Sequence, residues 1–162
     1  MQFSQDSIEL LYGEGSVVLA DDIPYLQKKF YTLTYTTPDG LTPIDLTGAT
    51  LSAEIIRRKI NITTETPTGF VFTIEQAIGT PTPVTLNPVI VSASQGVINL
   101  PCDNCEWNIP ADDPELGIAV QNPVCFSGYV KAAMPASGGN PAYDLFVFLL
   151  LLVRSNGVNL VA

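Results

Sequence analysis

The chain has 162 residues, 46% of them apolar and only 14% charged, with seven basic against sixteen acidic side chains and no histidine. A formal charge of −9 excludes the basic footprint that nucleic acid or an anionic membrane surface would need, and the missing histidine removes the commonest general base and metal ligand. The length is that of one domain, and so sparse a charge density implies that other subunits cover part of the surface.

From the N-terminus, Ile8 to Tyr12 and Ser16 to Ala20 are short apolar runs on either side of Gly13-Glu14-Gly15, which reads as a hairpin. Asp21-Asp22 and Pro24 then break the pattern, so residues 1–24 read as an N-terminal arm or hairpin and 25–162 as the domain proper. The start of the chain lacks the cationic segment and long apolar run of a secretory signal, so the expected place of residence is the cytosol, or a particle assembled there. Between Tyr25 and Thr37, Phe30, Thr32 and Thr34 alternate with Tyr31, Leu33 and Tyr35, the period of a strand. Thr37-Pro38-Asp39-Gly40 is a turn, with Pro suited to its second position and Gly to its end.

The stretch Ile44 to Arg58, IDLTGATLSAEIIRR, organises the remainder. Asp45 can accept hydrogen bonds from backbone just ahead of it, and Gly48 tolerates positive φ. Leu51, Ala53 and Ile55 then point one way, and Thr50, Ser52, Glu54 and Ile56 the other, with Arg57 and Arg58 closing the strand. Further strands are expected around Phe70, Phe72 and Ile74, from Val84 to Ser92, and from Val97 to Leu100 after a Ser94-Gln95-Gly96 turn. Thr80-Pro81-Thr82-Pro83 reads as an extended, exposed loop.

Prolines at 110, 114 and 123 exclude a long helix from Pro101 to Pro123, although Ala111 to Leu116 can form one helical turn behind the acidic Asp112 and Asp113. Cys125 to Ala133 is a strand and Pro135 to Pro141 a hairpin loop. Tyr143 to Arg154 is a long strand, and Val158 to Val161 ends the chain. The apolar core of that long strand, Leu145 to Val153, is too short for a membrane helix, which needs about 20 residues. A strand buried on both faces, in a sandwich or between subunits, fits it better. Leu145, Val147, Leu149 and Leu151 are therefore candidates for an interface with another chain, and the lone Trp107 is a candidate for the core or an interface. Short strands separated by Gly, Pro, Asn and Asp, with almost no helical periodicity, imply an all-β antiparallel sandwich, with a small barrel or jelly roll as the alternative.

Chemistry has little to work with. Cys102-Asp103-Asn104-Cys105 is a C-x-x-C and Cys125 stands apart. Structural zinc takes four ligands, and here there are three thiols and no histidine, leaving plain thiols, a disulfide formed after release from the cell, or a metal completed by Asp103 or Asp112 or shared between subunits. Asp112, Asp113 and Glu115 lack the spacing of a calcium loop and read as a solvated acidic loop. No G-x-S-x-G, S-x-x-K, G-x-G-x-x-G or phosphate-loop pattern occurs, so neither catalysis nor a cofactor is expected.

The segment IDLTGATLSAEIIRR resembles the D-L-T-G-A-x-V-x-F-x-I-R strand of immunoglobulin-like domains in tailed-phage virion proteins, namely baseplate upper proteins and the N-terminal domains of tail fibres. Ser94 to Leu100 is similar to that family's x-x-G-V-V-x-L strand, Ser127 to Lys131 to its G-Y-Y-x-x-V strand, and Phe146 to Val158 to its closing pair. The likeness covers residues 30–162, departing in a longer connection from Cys102 to Val124 and a more apolar last strand. It implies an immunoglobulin-like sandwich acting as a non-enzymatic adaptor at the baseplate, tail tip or fibre attachment of a virion. The implied partners are other virion proteins and further copies of itself, as a trimer or hexamer. A capsid decoration or neck protein of the same virion type is the alternative, and a carbohydrate- or receptor-binding sandwich is a third class.

Overall fold

The computed structural model describes the backbone of residues 10–13, 16–37, 40–66, 69–76, 79–116 and 123–155, and the side chains of 19–37, 40–61, 73–76, 79–116 and 123–155. Among the described residues ten strands follow one another: β1 (Leu10–Gly13), β2 (Ser16–Pro24), β3 (Lys28–Thr34), β4 (Thr50–Thr66), β5 (Gly69–Gln76), β6 (Val84–Leu86), β7 (Val89–Ser92), β8 (Val97–Asp103), β9 (Val124–Met134) and β10 (Tyr143–Arg154). Two single 3-10 turns, Asn104–Glu106 and Pro114–Leu116, lie between β8 and β9. The protein is an all-β sandwich. One sheet runs β1-β2-β10-β9-β4-β5, with β6 also on β4, and the other runs β3-β8-β7.

Alternation sets the layers. In β8 Ile98, Leu100 and Cys102 are buried, in β3 Tyr31 and Leu33, and in β4 Ala53 and Ile55, and these meet in one core between the sheets. Of the strand expected from Tyr25 to Thr37, the part from Lys28 to Thr34 forms, because the chain turns at Tyr25-Leu26 and Leu26 takes φ 60. The strand expected to close at Arg57-Arg58 continues to Thr66 and turns back as β5, since the alternation past Arg58 is still that of a strand. The single strand expected from Val84 to Ser92 is instead two. Val84 to Leu86 pairs with β4 in the large sheet, and Val89 to Ser92 with β8 in the small one. The break falls at Asn87-Pro88, where Pro lacks an N–H for a ladder and restricts the residue before it.

The N-terminal hairpin forms as β1 and β2, but it is no detached arm. β2 runs unbroken through Asp21-Asp22 to Pro24, pairs with β10 in parallel from Val18 to Pro24, and places Leu19 and Ile23 in the core. The expected terminal strand from Val158 to Val161, Ile8 and Glu9, and Pro38-Asp39 of the expected turn lie outside the described residues. Gly40 N–H nevertheless donates to the Thr37 carbonyl at 2.8 Å, the bond that closes a β-turn.

The Ile44–Ala49 segment joins the two sheets at one end. Ile44 N–H donates to the Tyr35 carbonyl (2.9 Å) and Leu46 N–H to the Ala93 carbonyl (2.8 Å), both in the small-sheet half, before the chain enters β4. Asp45 Oδ1 accepts from Thr47 N–H (2.9 Å) and Thr47 Oγ1 (2.6 Å), and these bonds hold its carboxyl below the usual range. Gly48 takes φ +81, and Leu46 is fully buried. Gly96 (φ +67) sits so tightly behind this segment that a Cβ would come within 2.6 Å of the Ile44 and Tyr35 carbonyl oxygens.

Candidate interaction surfaces

The other end is closed by the 104–116 connection. Asn104, 1% exposed, accepts from Gln27 N–H (3.1 Å) and donates to the Pro24 carbonyl (2.8 Å), tying the connection to the β2–β3 turn. Tyr25 Oη donates to the Ile109 carbonyl (2.9 Å), and the Trp107 ring lies 5.0 Å from that of Phe126. On the far side Arg57 donates to both Asp113 oxygens (2.6 and 3.0 Å) and to Glu115 (2.8 Å). The bonds to Asp113, followed by Glu115, raise the Arg57 pKa against the opposing effect of burial. At Asp113 burial pushes upward, but the Arg57 bonds and the Glu115 N–H outweigh it and leave the carboxyl below its ordinary value. The acidic loop expected to be simply solvated is therefore half a salt-bridge latch.

A second strut crosses between the sheets along one side. Asp21 Oδ2, on β2, accepts from Lys29 Nζ (2.5 Å) and Tyr31 Oη (2.6 Å), both on β3. Burial, then Asp21, drives the Tyr31 hydroxyl pKa far above normal.

The predicted site residues land as follows. Val147, Leu149, Leu151 and Trp107 are buried in the core between the sheets, and Leu145 packs against it. The odd-numbered positions of β10 face the small sheet, so the side chains of Val147, Leu149 and Leu151 are taken up by the core of the chain itself. The expectation of burial on both faces holds from Leu149 to Val153 and fails before it, where the even-numbered Phe146 and Phe148 are 43% and 44% exposed. The three cysteines are free and not gathered together. Cys102 points into the core, Cys125 lies in a separate outward cluster with Ile60, Leu150 and Leu152, and Cys105 is exposed. Burial, then Asp21, pushes the Cys102 thiol up to about 12. Burial and Glu115, against Arg58, do the same for Cys125. Among the described residues no group of three or more Asp, Glu or Cys side chains is placed to hold a metal, and no helix is long and apolar enough to cross a membrane.

What the strand pattern did not single out is the outer face of the large sheet. Phe146 and Phe148 stack (6.1 Å, 12° between planes), and Tyr129 of β9 meets Phe146 edge-on (5.9 Å, 77°). Register sets Glu54, Tyr129 and Phe148 in one row across β4, β9 and β10, and Ile56, Ser127 and Leu150 in the next. Between them and Arg58 lies a hollow of about 550 Å³, which Ile74 also lines. The signal was present in β9, whose outward Lys131, Tyr129 and Ser127 are the residues of a wet face.

Edges form a second surface. Among the described residues β3 and β7 each pair only with β8. Val89 and Val91 on β7 are 59% and 63% exposed, and Phe30 on β3 is 47% exposed. No protein-family model matches the chain, and no curated protein matches it.

Proposed function

We propose that this chain is a non-enzymatic structural component of a tailed-phage virion, an adaptor at the baseplate, tail tip or fibre attachment built on an immunoglobulin-type sandwich. The observation that carries the reading is the path of the chain. β3-β8-β7 faces β4-β9-β10, and β2 lies parallel against β10. In immunoglobulin-type domains strands B, E and D likewise face C, F and G, and the Ile44–Arg58 motif enters this layout at the start of its third large strand.

The physical logic of an adaptor suits such a block. Both ends are tied, one by the Ile44–Ala49 bridge and one by the Arg57 latch, so the body can hold its neighbours at fixed distances. Among the described residues the outer edges of β3 and β7 are unpaired and can offer ladder groups to a neighbouring chain, which is how sandwiches assemble without chemistry. Repetition about a symmetry axis then yields a trimeric or hexameric ring.

The test is mass spectrometry of purified particles of the source phage, with light scattering of the recombinant chain. The reading predicts peptides of this protein in fixed ratio to the tail proteins and a solution mass of three or six copies. A chain absent from intact particles but abundant in infected lysate would sink it.

A further inference from the structure

We infer that the outer face of the large sheet is a binding site for a neutral oligosaccharide, seated in the hollow between Phe148, Tyr129 and Arg58. The inference is independent of where the chain resides. The hollow, about 550 Å³, is the size of a small-molecule site. Its floor is apolar, from Ile56 and Leu150, and one side carries the rings of Phe148 and Tyr129. A pyranose covers such a surface with its C–H face, releasing water from it.

The polar groups decide the occupant. Glu54 and Arg58 stand on the same outward face of β4, two residues either side of Ile56. That places them about 13 Å apart along the strand at ~3.3 Å per residue, too far to pair with each other. Neither has an ion-pair partner among the described residues. Arg58 makes one hydrogen bond there, Nε to Ser127 Oγ at 3.4 Å. An apolar protein surface pressed onto this face would strip water from a carboxylate and a guanidinium and return nothing, which is costly. A saccharide supplies hydroxyls that donate to Glu54 and accept from Arg58 and Ser127, while its C–H faces lie on the rings. With a net charge of −9 on the chain, a neutral sugar meets less repulsion than an acidic one.

The test is NMR titration of the isotope-labelled full chain with cellotriose, maltotriose and chitotriose at millimolar concentration. At least one should shift amide signals around Glu54–Arg58, Ser127–Tyr129 and Phe148–Leu150 and leave β3 and β8 unmoved. Phe148→Ala and Glu54→Gln, both at exposed positions, should each weaken binding about tenfold or more without changing the urea midpoint by much. No shift at these residues with any of the three sugars overturns the inference, as does binding unchanged in both variants. Concentration-dependent broadening of the same signals without sugar, with a rise in mass, would make the face a protein interface and equally overturn it.

Discussion

Strand β10 has two faces made of the same kind of residue, and they do different things. Val147, Leu149, Leu151 and Val153 are at most 4% exposed and fill the space between the sheets. Phe146 and Phe148, one step along the same strand, are more than two-fifths exposed and stack on each other beside Tyr129. Hydrophobicity summed along a strand therefore does not say which face is core. The neighbouring strands do: β9 turns Phe126, Val130 and Ala132 inward, and Ser127, Tyr129 and Lys131 outward.

Substitutions can break this division. The most damaging should be Gly128→Ala. Gly128 sits between Ile55 and Leu149, and a Cβ there would fall on the Glu54 carbonyl oxygen and the Ile55 Cα, both backbone that cannot step aside. Overpacking against backbone should cost at least about 4 kcal/mol or prevent folding, seen as loss of the cooperative urea transition. Leu151→Ala, on the inner face, should cost about 3 kcal/mol through lost burial and a residual cavity. A midpoint shift no larger than that of an outer-face variant would mean the two faces of β10 had been assigned wrongly.

Next in size is the latch. Arg57→Ala leaves Asp113 and Glu115 without their donor and should cost about 2 kcal/mol. Its pH dependence has a definite sign. The folded Asp113 carboxyl titrates below its unfolded value, so its contribution is complete above about pH 4 and fades as pH falls through the lowered folded value. Wild-type urea midpoints should therefore drop more steeply below about pH 4 than those of Arg57→Ala. Smallest of all, Phe148→Ser on the outer face should change stability by less than about 1 kcal/mol. The thiols sharpen the same contrast. Cys105 should react with a thiol reagent in the native protein, while Cys102 and Cys125, buried and held up to about 12, should react only after denaturation.

Much of the fold was legible in the chain. The alternation at Tyr31, Leu33 and Tyr35, the Asp45-to-Gly48 turn, and the bounds of β10 at Tyr143 and Arg154 all rest on local period and turn chemistry. The rest depends on partners distant in sequence. That β2 would pair in parallel with β10, that Asn87-Pro88 would carry the chain between sheets, and that Arg57 would find Asp113 fifty-six residues away are tertiary facts with no local period. The exposed aromatics of β10 were hidden for another reason: both sets of alternate residues in that strand are apolar, so alternation leaves no mark there.

The measurement closest to the central proposal is immunogold electron microscopy of purified particles of the source phage with antibody to this chain. The adaptor reading predicts gold at the end of the tail. Gold over the head or neck would move the chain to a decoration or neck role, and no gold on any intact particle, with an antibody shown to work on disrupted virions, would contradict a place on the virion surface altogether.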